Sequence, residues 1–120
     1  MKTMLIAIDS EIITDELVHT FQSKYQVHTC SRGDDALHLL QSIKPDVLIV
    51  MLSLPSITGM EVLQRTQYKP TVIIALSTYL SDSVIHDAQA AGVGALIRLP
   101  CSIGYIKHNL HILLTDAHWD

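Results

Sequence analysis

Five short apolar runs divide this chain, and after each comes a stretch whose apolar residues recur every three or four positions. The runs are "MLIAI" (Met4–Ile8), "YQVHTC" (Tyr25–Cys30), "DVLIVM" (Asp46–Met51), "TVIIALS" (Thr71–Ser77) and "GALIRL" (Gly94–Leu99). Apolar runs this short read as strands. The stretches between them gather Ile13, Leu17 and Phe21 on one helical face, then Ala36, Leu39, Leu40 and Ile43. Met60 and Leu63 follow, then Val84, Ile85, Ala88 and Ala91, and last Ile103, Ile106, Leu110 and Leu113. Strands that are apolar almost throughout, alternating with amphipathic helices, imply a parallel sheet covered on both faces. Right-handed crossovers join such strands. The expected fold is therefore α/β, one doubly wound domain of five β–α units. Tyr25–Cys30 alternates polar and apolar, which places it near a sheet edge.

Local signals mark the joints. Pro45 stops the second helix, because the residue before a proline resists helical geometry. Pro55 and Gly59 are turn residues in the loop Leu52–Gly59. Ser81 or Asp82 can cap the fourth helix and Ser102 the fifth, and Gly92 ends the fourth.

The totals narrow the function. A length of 120 residues suits one core, and 48% apolar residues with 17% charged exclude disorder. A formal charge of −4 gives no electrostatic reason to bind nucleic acid or an acidic membrane. No apolar run approaches the ~20 residues of a spanning helix. The opening "MKTMLIAIDS" has too short an apolar core for a secretory signal, and Asp9 interrupts it. A cytoplasmic location is expected. Cys30 and Cys101 read as two reduced thiols, not as a disulfide framework or zinc site.

The first strand is followed by "AIDSEI", which has no glycine. This argues against a dinucleotide site, a P-loop and a flavin phosphate site. No Gly-x-Ser-x-Gly elbow appears. Neither a cofactor nor an enzymatic activity is expected.

"KPDVLIVMLSLPSITGMEVL", "GDDALHLL" and "AAGVGALIRLP" occur in the order and spacing of a known pattern. Together, with Pro55 and Gly59 in place, they resemble the receiver domain of two-component response regulators. The resemblance covers nearly the whole chain and implies a flavodoxin-like sheet in the order 2-1-3-4-5, with the two cysteines near opposite edges. It also implies a site. Receivers carry a phosphoryl acceptor Asp at the end of the third strand, and that position falls on Met51. The acidic pair that holds Mg²⁺ falls on Ile8 and Asp9, with Ser10 and Glu11 beside them. The hydroxyl position falls on Ser77, the lysine on Leu99 before Pro100, and the inward-turning aromatic on Leu96.

Met has no oxygen to attack a phosphoryl donor, and one carboxylate is a poor cage for Mg²⁺. A lysine kept without its aspartate would strand a charge. Met51, Ile8 and Leu99 are instead expected to fill the crevice as an apolar cluster, Met being suited to irregular gaps. Asp9 reads first as a cap on the first helix and second as a metal ligand. Ser77 reads equally as a local backbone partner and as a remnant of the switch. Ser53 is more plainly an exposed loop serine than a kinase target. His108 and His111 are better taken as a solvated helix face than as a metal pair. Trp119 either anchors the tail or marks a junction.

The expected function is that of an atypical, phosphorylation-independent receiver acting by protein–protein contact. Its partner would be a second copy or an effector, a transcriptional one included, with no DNA contact by this domain itself. Residues 1–120 would be a single-domain protein or the amino-terminal piece of a longer regulator. By resemblance the surface is the fourth helix, fifth strand and fifth helix, with Asp82, His86, Asp87, Arg98, Lys107 and His111 as its polar candidates. The alternatives are a receiver phosphorylated at Asp9 or Ser53, or a small-molecule binder on the same fold.

Overall fold

Each apolar run becomes a strand, and a helix follows each one. In the computed structural model, which describes residues 1–117, β1 (Lys2–Ala7) leads to α1 (Glu11–Phe21) and β2 (Tyr25–Cys30) to α2 (Gly33–Ile43). Then come β3 (Val47–Met51), α3 (Gly59–Arg65), β4 (Val72–Ser77), α4 (Asp82–Ala90), β5 (Ala95–Arg98) and α5 (Ile103–Asp116). All pairings are parallel and the strand order is β2-β1-β3-β4-β5. β1 starts two residues before its apolar run, because Lys2 and Thr3 pair with Tyr25 and Gln26. These two polar residues sit half-buried at the rim, where hydropathy carries no signal.

Alternation along the strands divides the core into two layers. Met4, Ile6, Ile49, Ile74 and Ile97 face the side covered by α1 and α5, where Leu17, Phe21, Ile106 and Leu110 meet them. Leu5, Ala7, Leu48, Val50 and Ile73 face the other side, covered by α2, α3 and α4 through residues such as Leu40, Val62 and Leu63. Ile85 departs from expectation. It is 38% exposed, while Ala88 on the same helix and Ala91 at its C-cap are buried. On a short helix the apolar stripe is wider than the contact, and Ile85 lies on its outer margin.

Serine and threonine start most of the helices. Ser10, Thr58, Ser81 and Ser102 accept from the backbone N–H three residues on, at 3.4, 3.2, 3.2 and 3.1 Å. The start of α2 is held differently: the Gly33 N–H donates to the Pro55 carbonyl at 3.0 Å. A Cβ on Gly33 would stand 1.7 Å from the Ile57 carbonyl oxygen, so only glycine lets the loop after β3 lie against α2. Leu52 and Leu54 of that loop are buried. α4 ends in a Schellman motif, with Gly92 at φ 87°. There Val93 N–H bonds to Ala88 O at 3.0 Å and Gly92 N–H to Gln89 O at 3.1 Å.

Candidate functional site

Strand register decides which residues meet at the carboxyl end of the sheet. Ala7 lies beside Val50, Met51 beside Leu76, and Ser77 beside Arg98. The backbone pairing runs on past the strands: Ile8 N–H bonds to Cys30 O, Leu52 N–H to Leu76 O, and Leu99 N–H to Ser77 O. Ile8, Met51, Ser77 and Leu99 are thereby brought to one end of the sheet, which is where open α/β sheets bind their ligands.

The side chains there are mostly carbon. Ile8 is 1% exposed and belongs to the core beneath α1 and α5. Met51 and Leu99 are half-buried and pack against that same core. All three thus pack on the same core, but they do not close the crevice. A groove of about 720 Å³ remains, walled by Ile13, Met51, Leu99, Pro100 and Ile103 and edged by Glu16 and Thr78. Filling it would need side chains larger than Met and Leu, since α1 and α5 are held apart by their own contacts with the sheet. A second depression of about 450 Å³ lies on the β2 side of β1, lined by Asp9, Glu11, Asp15, Thr29 and Cys30. Burial, with Asp35 adding to it, pushes the Cys30 thiol up to about 11, and burial also raises Cys101.

Asp9 does not cap α1. Ser10 is the N-cap, its Oγ accepting from Ile13 N–H, and Asp9 stands exposed one residue earlier. The backbone turns extended at Ser10, so the hydroxyl and not the carboxylate faces the free N–H groups. Ser77 is buried, and its Oγ donates to Tyr79 O at 2.7 Å and accepts from Tyr79 N–H at 3.2 Å. The hydroxyl is therefore engaged in the local turn. These residues do not fit Mg²⁺, which wants near-octahedral oxygen. Ile8, Met51 and Leu99 bring no carboxylate, and among the described residues no group of three His, Cys, Asp or Glu could hold a metal.

The family model described as Response regulator receiver domain matches residues 4–111. The chain belongs to the response regulator receiver family. It is 29% identical over 115 residues to the protein-glutamate methylesterase/protein-glutamine glutaminase of Nitrosospira multiformis, covering 90% of this chain and 32% of that one. It is 27% identical over 95 residues to the alkaline phosphatase synthesis transcriptional regulatory protein PhoP of Bacillus subtilis, covering 78% and 40%. The chain thus spans about a third to two fifths of the length of these curated relatives. Among solved structures, the Vibrio cholerae chemotaxis protein CheY4 superposes with a TM-score of 0.82 at 29% identity, covering 95% of this chain and 99% of that one.

On this receiver the six polar surface candidates divide among three places. Asp82 and His86 are exposed on α4 and Arg98 on β5. Asp87 is half-buried and lines a hollow against α3, with Leu63 and Lys69. Lys107 and His111 line a groove with Phe21, Lys24 and Tyr25, on the α1 side of α5. Leu96 is half-buried on the α4 side of β5. Residues on the opposite flank of α5 were missed. A helix turns about 100° per residue, so Tyr105 and Ile112 fall across the buried stripe Ile106–Leu110 from Lys107 and His111, on the β5 side. Tyr105 is 53% exposed and Ile112 44%. With Ile85 on α4 they flank the edge strand β5. The signal was in the sequence: Tyr105 and Ile112 lie seven apart, outside the stripe Ile106, Leu110 and Leu113.

Ser53 is exposed in the loop after β3, and His108 and His111 are exposed on α5. Cys30 and Cys101 are both free, one at the end of β2 and one after β5. Trp119 lies outside the described residues. No described helix is long and apolar enough to cross a membrane.

Proposed function

We propose that this receiver signals without phosphate, by contact with a protein partner. The observation that carries the proposal is Met51 at the end of β3, where the family pattern has its acceptor aspartate. A thioether cannot attack phosphorus, and Leu99 supplies no cation for a phosphate there. The engaged Ser77 hydroxyl supports the same view, since its proton and one of its acceptor positions are taken up in the turn with Tyr79. Met51, Ile8, Asp9, Ser77, Leu96 and Leu99 are on this account a degenerate phosphorylation site, and no catalytic residue is assigned.

The contact surface proposed is the α4–β5–α5 face. Ile85, Tyr105 and Ile112 supply exposed apolar area, β5 supplies unpaired edge backbone, and Asp82, His86 and Arg98 form its polar rim. The partner is a second copy of the chain or an effector, with transcriptional effectors a natural class given the regulators it is similar to. Residues 1–120 act as one receiver unit.

One experiment tests this. Sedimentation velocity is run across protein concentration with and without acetyl phosphate and Mg²⁺, and the same samples are weighed intact. The expected result is no phosphoryl adduct and an unchanged sedimentation profile. A stoichiometric adduct, at Asp9 or Ser53 for instance, together with donor-dependent assembly would overturn it.

A further inference from the structure

We propose that the groove between α1 and the segment after β5 binds a small organic cation, a molecule with an aromatic or branched-hydrocarbon body and one protonated amine. This goes beyond contact signalling and does not depend on it. The groove's volume of about 720 Å³ falls within the roughly 300–1,000 Å³ of small-molecule sites. It opens at the carboxyl end of the sheet, beside the β1–β3 junction where the strand order reverses, the place where open α/β sheets take ligands.

Its lining selects the chemistry. Ile13, Met51, Leu99, Pro100, Ile103 and Ile106 offer apolar wall on several sides of the space, and Met51 can adjust to the shape of a bound ring. The polar groups are few. Ser102 Oγ is engaged in capping, accepting from Tyr105 N–H at 3.1 Å. Thr78 offers a hydroxyl at one edge, and Glu16 is the single charged residue in the lining. The neighbouring depression adds Asp9, Glu11 and Asp15. Among the described residues that line either one there is no Lys, Arg or His. Glu16 repels a carboxylate ligand, a neutral one meets only the walls, and an amine meets both the walls and Glu16. A bare divalent ion is not suited, because one carboxylate and a wall of carbon leave its shell unfilled.

Three probes of one shape separate these terms: phenylbutylamine, phenylbutanol and phenylbutyrate, titrated into the full chain while backbone amide shifts are followed by NMR. Saturable shifts at Ile13, Met51, Leu99 and Ile103 are expected, with the amine binding roughly threefold tighter than the alcohol, the size of an exposed ion pair, and the carboxylate weakest. Glu16→Gln, on the exposed side of α1, brings the amine down to the alcohol. Leu99→Lys abolishes amine binding. Equal affinity for all three head groups, no saturable shift, or amine binding indifferent to Glu16→Gln would each overturn the proposal. So would groove shifts that follow protein concentration without any probe, because a second copy would then be the occupant.

Discussion

The two depressions at the carboxyl end of the sheet sit on either side of β1 and differ in kind. The one toward β2 keeps carboxylates and hydroxyls, with Asp9, Glu11 and Asp15 in its lining. The one toward β3 and β5 is walled by Met51, Leu99 and Ile103. Ile8, 1% exposed, belongs to the lining of the first and not of the second. In the family pattern this position is acidic and would join the two sides into one polar site. Here an aliphatic side chain takes that place, so the acids on one side gain no partner at the end of β3, and the other side keeps Glu16 as the single charged residue in its lining. Losing the acceptor is thus not an isolated change. Each further aliphatic replacement removes a charge that the loss would have left unpaired in a half-buried place.

The largest expected effect follows from that partition. Ile8→Asp puts a carboxylate into the core and is expected to cost about 3 kcal/mol or more by denaturant unfolding. Asp9→Ala, one residue on and exposed, should cost less than about 0.5 kcal/mol. Similar small values at both positions would mean that water reaches Ile8, and the separation between the depressions would fail.

The loop behind Met51 comes next. Gly33→Ala forces a Cβ against the Ile57 carbonyl, and an overpacking cost of about 2 kcal/mol is expected. An unchanged melting temperature would show that this loop moves freely away from α2. The rim of the polar depression gives a smaller effect. Ser10→Ala removes the cap of α1 and should cost about 1 kcal/mol. A greater loss with Asp9→Ala than with Ser10→Ala would return the capping role to the carboxylate.

The last effect is one of pH, and it distinguishes the polar depression from bulk water. The Cys30 thiol is raised from 9.0 to about 11 in the folded chain, so the unfolded chain releases this proton first. Its contribution to stability is whole below 9 and is lost as pH climbs toward 11. Urea midpoints taken across that interval should fall less in Cys30→Ser than in the parent chain. Equal slopes would place the Cys30 thiol in open solvent.

Periodicity and punctuation made the fold legible. "DVLIVM" carries no polar interruption after Asp46, and Pro45 and Gly92 end helices for reasons local to their own bonds. Residue type made the absence of an aspartate and a lysine at the site legible, because Met51 and Leu99 need no structure to be chemically inert. The open groove was not. Whether Met and Leu fill a space depends on how far α1 stands from α5, a distance set by contacts such as Leu17 and Ile106 against the sheet. Ile85 was misplaced for a related reason, since four apolar residues on a nine-residue helix exceed what the sheet beneath can cover. Asp9 and Ser10 are equally good caps by type, and only the backbone angle at Ser10 chooses between them.

The separation of acids from the end of β3 is tested most directly with a paramagnetic divalent ion. Mn²⁺ is titrated into the chain in a buffer containing excess Mg²⁺ or none, and amide line widths are read by NMR. Broadening is expected to be weak, spread over exposed carboxylates such as Glu11 and Asp15, and unaffected by Mg²⁺. Saturable broadening centred on Ile8, Asp9 and Met51 that Mg²⁺ reverses would contradict the account, for it would mean that this receiver still holds the ion with Ile8 and Met51 in place of carboxylates.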